Sequence, residues 1–230
     1  MSTDSAPIHI RSAFQADLDQ LRIQVELMGV RVDQNLELMR NALSSGDAEL
    51  MDRAFAADDE IDAMHLSLLG RCYDLLNREQ PMASDLRYVV SVVRILSEFE
   101  RVGDLALRVI KLTPQVDELS RCGTPWDLAV TMVESAVEQY RMALRAWSTQ
   151  DLELATRLVE NRPPAESYTY HERLLAELQR LQGPDSAATA MGVYIIGQAA
   201  DRIADHAAII GARLRYLLTG EPAHLAAEVR

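Results

Sequence analysis

Two short acidic signatures stand out in the sequence, one in each half of the chain. The first reads Glu100-Arg101-Val102-Gly103-Asp104 and the second reads Asp201-Arg202-Ile203-Ala204-Asp205. Each lies in a long apolar segment with helical periodicity, so its two carboxylates share one helix face, a turn apart. Like charges at this spacing destabilise a helix. Carboxylate oxygens are good ligands for hard cations, and Glu100, Asp104, Asp201 and Asp205 are therefore candidate metal ligands.

A third acidic run adds further candidate ligands in the first half. The run reads Asp58-Asp59-Glu60-Ile61-Asp62, which makes Asp58, Asp59 and Asp62 candidates, and the first and last of these share a helix face. The ordinary interpretation of such a run is a solvated charged face. The corresponding stretch of the second half, Asn161-Arg162-Pro163-Pro164-Ala165-Glu166, has no acidic cluster and two prolines that interrupt a helix. Two metal sites would therefore not be equivalent.

Internal ion pairing is the alternative to metal binding. Arg101 precedes Asp104 by three residues, Arg108 follows it by four, and Arg202 precedes Asp205 by three. Charge clusters on helices commonly form such networks, so both interpretations stay open. His206, directly after Asp205, is a candidate ligand or partner for the second pair.

Long helices must position these acids, because apolar residues recur at helical spacing along most of the chain and no alternating strand pattern occurs. Breakers rich in Ser, Gly and Pro separate the segments. We predict helices over about 10–43, 47–80, 81–112, 124–147, 151–181 and 185–219. Asp47 and Thr124 are the predicted N-caps of the second and fourth helices.

The two halves of the chain look like copies of one another. Residues 42–50 match residues 146–154 at an offset of 104 residues, and Asp104 matches Asp205 at an offset of 101. We therefore predict an all-α fold of two tandem three-helix bundles. The first bundle covers residues 8–113 and the second covers residues 124–220, joined by a linker at 114–123.

Composition narrows the classes of function. A net charge of −12 argues against nucleic-acid binding, which needs a basic surface. Two cysteines without a CxxC pair predict a reducing, cytoplasmic setting. The uncharged stretch 186–200 is shorter than the ~18 residues of a membrane span, and no signal peptide is expected. Any work at a membrane would depend on another protein.

No catalytic residues are predicted. The sequence shows no nucleophile–base arrangement, no phosphate-binding glycine loop and no Walker motif. A carboxylate-bridged di-metal enzyme of the ferritin-like kind would need Glu-x-x-His pairs facing a four-helix core. The one such pair is Glu221-Pro222-Ala223-His224, in the tail, so the enzyme interpretation is disfavoured. A purely structural helical protein is the remaining alternative.

Together these motifs resemble the PhoU family of phosphate transport regulators. The resemblance rests on the acidic run 58–62, the stretch Gln80–Arg87 (similar to Q-x-P-x-A-x-D-L-R with one residue removed), the two acidic signatures, the N-terminal segment Phe14–Leu43 and the ending Tyr216–Glu221. Each motif alone is common, but their combination over nearly the whole chain is specific.

The resemblance implies multinuclear metal sites at Glu100 and Asp104 and at Asp201 and Asp205, holding iron, zinc, magnesium or manganese. It implies a non-enzymatic negative regulator of the phosphate-starvation response and of phosphate uptake. Such a protein is an adaptor between the ATPase subunit of a phosphate ABC transporter and a sensor histidine kinase. It would be a homodimer in the cytoplasm, recruited by its partners to the inner face of the membrane.

Three departures from the family pattern bear on the metal sites. The family often has Asn four residues after the signature Asp, where this chain has Arg108 and Ile209. Arg108 brings a positive charge that disfavours a cation, and Ile209 removes an oxygen ligand. The third departure is Pro163-Pro164 in place of an acidic cluster. These changes predict a divergent member of the family with one weak metal site, or with none in some conditions.

Overall fold

The computed structural model describes residues 5–79, 81–160 and 166–228. These residues form a helical bundle without strands, as the sequence predicts. Its α-helices are α1 (Ser5–Ser45), α2 (Glu49–Glu79), α3 (Ala83–Ile110), α4 (Val116–Leu119), α5 (Thr124–Thr149), α6 (Leu152–Glu160), α7 (Glu166–Leu178) and α8 (Ser186–Thr219). Short 3-10 segments cover Thr113–Gln115, Ser120–Cys122 and Pro222–Glu228. No described helix is long and apolar enough to cross a bilayer.

Matched aspartates begin corresponding helices in the two halves. The Oδ1 atom of Asp47 accepts a hydrogen bond of 2.9 Å from the backbone N–H of Glu49. The Oδ1 atom of Asp151, 104 residues later, accepts one of 2.9 Å from the N–H of Leu154. Both carboxylates thus satisfy an otherwise unpaired donor at a helix start, which confirms the predicted cap at Asp47 and the repeat.

Thr124 is not the N-cap of α5, contrary to the prediction. The helix begins at Thr124 itself, and Gly123 stands in the capping position with a φ of +70°. Glycine adopts this left-handed conformation without a steric penalty, so the chain turns one residue earlier than a threonine cap would allow. Pro125 then occupies the first turn, where its missing N–H costs nothing.

Two other segments are built differently from the prediction. Residues 114–123, predicted as a linker, form tight helical turns that bury Val116 and Leu119. The Leu119 side chain covers Gly192 of α8, where an added Cβ would lie 2.7 Å from it. The fifth predicted helix is divided into α6 and α7, and Pro163-Pro164 lie outside the described residues between them.

The two three-helix units share one core. Within the first, α1, α2 and α3 pack on each other; within the second, α6 and α7 cover α5 and α8. Between the two units, α1 packs on α5 and α3 packs on α8, and we call this interface the seam. Both acidic signatures lie on helices that form it. Ion pairs reinforce it: Arg40 lies 2.6 Å from Glu134, and Arg141 lies 2.7 Å from Asp33.

A close crossing of α1 and α5 centres on Gly29. A Cβ atom at this position would lie 2.5 Å from Leu144 Cδ1 and 3.0 Å from Phe99 Cζ, so a larger residue here would force these side chains to move. The hydroxyl of the fully buried Tyr140 donates a hydrogen bond of 2.9 Å to the carbonyl oxygen of Gly29. The Phe99 and Tyr140 rings meet edge to face at 6.0 Å between centroids.

Replacing Tyr140 by phenylalanine is expected to lower the free energy of unfolding by about 1–2 kcal/mol. The ring packing is retained, but the buried bond from α5 to α1 is lost. Urea unfolding followed by circular dichroism measures the change. The control is Tyr73→Phe on α2, where the side chain is exposed. We expect it to leave the free energy of unfolding unchanged. Equal effects of the two substitutions would contradict a stabilising role for this bond.

Candidate functional site

Antiparallel packing of α2 on α3 brings the acids of the first half together. Asp58 and Asp62 on α2 face Asp104 and Glu100 on α3, and each acid interacts electrostatically with the opposing helix. The helices meet closely at Gly103, where an added Cβ would lie 3.5 Å from Asp58 Oδ1. The small residue within the signature thus lets a carboxylate of α2 approach those of α3.

Two carboxyl groups of the cluster, those of Asp58 and Glu100, have raised pKa values. Burial, followed by repulsion from Asp104 and Asp62, raises the pKa of Asp58 to about 6. Burial and then Asp104 also raise the pKa of Glu100, against a smaller lowering by His65. Because burial and like charge raise these pKa values, keeping the carboxylates ionised costs free energy in the folded protein. A bound cation would offset that cost.

Two further residues lie at the first cluster: Asp59, which was predicted, and His65, which was not. Asp59 is exposed, and it acts on Asp58 from the same helix rather than across to α3. His65 was not predicted, yet it interacts with Glu100. Its position three residues after Asp62, on the same face of α2, is the sequence signal that identifies it.

The predicted ion pairs form only in part. Among the described residues, Asp104 has no salt bridge within 4.0 Å, although Arg101 and Arg108 stand at suitable spacings. Arg101 instead lies 3.8 Å from Glu98. In the second signature the predicted pair does form, with 3.9 Å between Arg202 and Asp205. Within the described ranges, neither acid of the first signature therefore has an arginine within 4.0 Å, although Arg101 acts on Glu100 from farther away.

The second acidic pair has different surroundings. His171 on α7 lies with Nδ1 2.5 Å from Oδ2 of Asp201, and both side chains are about a quarter exposed. Burial raises the pKa of Asp201, opposed by His171. Ile209, four residues after Asp205, offers no oxygen ligand. His171 was not identified from the sequence because its register relative to α8 depends on the chain after Pro163-Pro164.

A buried carboxylate between the two halves was also missed. Glu98 on α3 has a side chain only 1% exposed, and its Oε2 lies 2.6 Å from Nδ1 of His206 on α8. Arg94 and Arg101 lie 3.6 Å and 3.8 Å from its other oxygen. His206 is thus a partner of Glu98 across the seam. The sequence signal was Glu98 lying between Ile95 and Phe99 in an apolar stripe.

The side chains of the described residues do not form a complete metal site. Within the described ranges no three His, Cys, Asp or Glu residues are grouped closely enough to hold an ion. The four acids of the first cluster nonetheless provide the oxygen donors that hard divalent cations prefer. The second cluster combines carboxylates with an imidazole, a donor set that suits zinc or iron.

Replacing Asp58 by asparagine is expected to raise the free energy of unfolding by about 1 kcal/mol at pH 7.5 without metal. The raised pKa means that the fold prefers the protonated carboxyl. Its contribution is fully present below the unfolded pKa of about 4 and is lost as the pH rises through about 6. Solvent screens a half-buried carboxylate, which keeps the gain modest. Thermal unfolding from pH 4 to pH 8 measures it.

The matched control is the neighbouring Asp59→Asn, because Asp59 is exposed. We expect it to change the free energy of unfolding by less than about 0.5 kcal/mol at every pH. A gain from Asp58→Asn that stays constant down to pH 4 would contradict repulsion and burial as its cause.

Comparisons with known proteins agree on one family. The PhoU domain matches residues 25–113. A protein of Serratia marcescens called phosphate-specific transport system accessory protein PhoU is 30% identical over 151 residues, which are 65% of this chain and 61% of that protein. A Pseudomonas aeruginosa protein called a PhoU homolog is 27% identical over 223 residues, covering 96% of this chain and 91% of that protein.

Solved structures show the same fold. The crystal structure of PhoU from Pseudomonas aeruginosa superposes with a TM-score of 0.84 at 26% identity, over 90% of this chain and 100% of that one. PhoU from Streptococcus pneumoniae superposes with a TM-score of 0.72 at 24% identity, over 90% of this chain and 98% of that one. The second likeness concerns the fold alone.

Proposed function

This chain belongs to the PhoU family, and from that premise we propose that it is a regulatory accessory protein of a phosphate transport system. The observation that carries the proposal is the match over 96% of the chain to a relative named for that role. The acidic signatures of both halves lie within the aligned fold. We propose no catalytic role for them.

In finer terms, we propose a negative regulator of the phosphate-starvation response and of phosphate uptake. It would link the ATPase subunit of a phosphate ABC transporter to a sensor histidine kinase, as a homodimer in the cytoplasm held at the membrane by these partners. Exposed apolar side chains support a role in protein contacts. Ile23, Leu27 and Val30 recur along one face of α1, each more than two-fifths exposed.

Pull-down experiments test the adaptor role. Full-length protein should retain both the transporter ATPase and the kinase, and Leu27→Asp should weaken at least one of these contacts. The control Leu152→Asp changes another exposed leucine, on α6. Failure of folded protein to retain either partner would contradict the adaptor proposal.

We further propose that the first acidic cluster binds a divalent or trivalent cation among magnesium, manganese, iron and zinc. Asp58, Asp62, Glu100 and Asp104 would hold it, with Asp59 at the margin. A second, different site would use Asp201 and Asp205. When bound, a cation neutralises the repelling carboxylates and links α2 to α3. The unpaired state of Asp104 and the raised pKa values of Asp58 and Glu100 support this proposal.

Metal content measured by mass spectrometry tests the site, on protein purified without a chelator or affinity tag. We expect stoichiometric metal in the wild type and its loss in Glu100→Gln/Asp104→Asn. The charge-matched control is Asp52→Asn/Asp74→Asn, which removes two exposed acids from α2. Metal retained by the first variant, or absent from the wild type after incubation with each of the four metals, would contradict the proposal.

The di-metal enzyme alternative gains no support. The Glu221 carboxylate, just before the 3-10 segment Pro222–Glu228, lies 3.6 Å from the imidazole of His224 within that segment, in the tail that follows α8. Oxidative turnover by the iron-loaded protein would be the result that favours it over the regulator.

A further inference from the structure

A cleft of about 330 Å³ opens between α3 and α8, on the seam of the two halves. Its lining consists of Arg101, Asp104, Leu105, Arg108, Arg202 and His206. Residues 101, 105 and 108 follow one face of α3, and residues 202 and 206 follow the facing side of α8. Of the acids of the metal proposal, only Asp104 reaches this cleft.

The charge of this lining differs from that of the molecule. Three guanidinium groups stand against one lining carboxylate, in a chain with a net charge of −12. Arg108 is exposed and has no carboxylate within 4.0 Å among the described residues. A concentration of positive charge in a concave site attracts anions.

The other two guanidinium groups are held only loosely. Arg101 lies 3.8 Å from Glu98 and Arg202 lies 3.9 Å from Asp205, both near the outer limit of an ion pair. Their side chains are 53% and 64% exposed. Exposed pairs at such distances contribute little energy, so either arginine can turn to another anion at small cost.

Three carboxylates in or beside the cleft would repel a bound anion, and two of them contact side-chain partners of their own. Glu98 is bound by His206 at 2.6 Å and by Arg94 at 3.6 Å. Asp205 has Arg202 beside it. Asp104 remains, at the edge shared with the acidic cluster. With Arg94 counted beside the three lining arginines, four guanidinium groups stand against these three carboxylates, which leaves one positive charge in excess. Among the described residues, Arg108 is the lining arginine with no carboxylate within 4.0 Å.

We propose that this cleft binds a small tetrahedral oxyanion of the phosphate and sulfate class. Guanidinium groups donate paired hydrogen bonds that match oxyanions. Groups that approach from two different helices suit the four oxygens of a tetrahedral anion better than the two oxygens of a planar carboxylate. The site needs no glycine-rich loop, which the sequence lacks. It goes beyond the proposed function and does not depend on a bound metal.

Isothermal titration with inorganic phosphate tests the proposal, at constant ionic strength and with a chelator present. Sulfate and acetate are titrated in parallel. We expect saturable binding of phosphate and sulfate, weaker binding of acetate, and at least a tenfold loss of phosphate affinity in Arg101→Gln/Arg108→Gln/Arg202→Gln. The single variant Arg108→Gln changes an exposed residue that has no carboxylate within 4.0 Å in the described part of the chain. It should already bind several-fold more weakly, and it keeps the test valid if the triple variant misfolds.

The charge-matched control is Arg53→Gln/Arg78→Gln/Arg157→Gln, which removes three exposed arginines from α2 and α6. It should bind phosphate like the wild type, because screening at constant ionic strength removes long-range effects of net charge. No saturable binding up to about 10 mM phosphate, equal affinity for acetate, or equal losses in the two triple variants would each overturn the proposal.

Discussion

Replacing His206 by leucine is expected to lower the free energy of unfolding by about 3 kcal/mol. The substitution leaves the Glu98 carboxylate buried, with only the longer contacts to Arg94 and Arg101 at 3.6 Å and 3.8 Å. Because Glu98 is buried, removing its nearest hydrogen-bonding partner leaves the carboxylate without compensation, which costs more than the contact itself contributes. Chemical unfolding followed by tryptophan fluorescence and circular dichroism measures the loss.

A double variant separates the buried charge from the lost packing. We expect Glu98→Met/His206→Leu to recover much of the stability lost by His206→Leu, because no charge is then left buried between α3 and α8. Glu138→Met provides a control for the loss of an exposed acid, its side chain being 72% exposed. A double variant that is less stable than His206→Leu would show that Glu98 contributes through contacts other than His206.

Replacing Phe99 by alanine is expected to lower the free energy of unfolding by about 3–5 kcal/mol. Phe99 is fully buried where α1, α3 and α5 meet, between Gly29 and the ring of Tyr140. The truncation removes buried apolar surface and leaves a cavity that rigid helices cannot close. In a protein of this size, the midpoint of thermal unfolding should fall by about 10 °C.

The matched control is Phe55→Ala on α2. Phe55 is 40% exposed and makes a cation–π contact with Lys111 at 5.5 Å. We expect this variant to lose less than about 1 kcal/mol, because exposed cation–π contacts are weak. Equal losses from the two phenylalanine substitutions would contradict a central role for the crossing at Gly29.

The helices and the repeat could be predicted because their signals are local. The spacing of apolar residues predicted the long helical segments. The carboxylates of Asp47 and Asp151 each accept a backbone hydrogen bond at a helix start, as expected of a repeat. Gly123 shows the limit of such reasoning. Both Gly123 and Thr124 are good helix-start residues, and only the backbone conformation decides between them.

The acidic cluster of the first half was predictable as a set of residues but not as an arrangement. Residues one turn apart on a helix share a face, which placed Asp58 beside Asp62 and Glu100 beside Asp104. Their meeting depends on the antiparallel register of α2 and α3, which no local pattern contains. For the same reason His65 was passed over, and Arg101 was expected to pair with Asp104 rather than Glu98.

The contacts across the seam were the least predictable. Glu98 and His206 lie 108 residues apart in the chain, as do Arg141 and Asp33. Pairs at this separation are set by the docking of the two halves, and although the apolar stripe around Glu98 indicates burial, it does not identify the partner on α8. Their detection needed the tertiary structure.

The seam also imposes an order on biosynthesis. The faces of α1 and α3 that pack on α5 and α8 are completed only after the second half has left the ribosome. At ~5–20 residues per second, the roughly 100 residues of that half take on the order of 5–20 s to be made. During this interval the newly made first half exposes Gly29, Phe99 and their apolar neighbours to water, and we expect it to be bound by chaperones that recognise exposed hydrophobic surface.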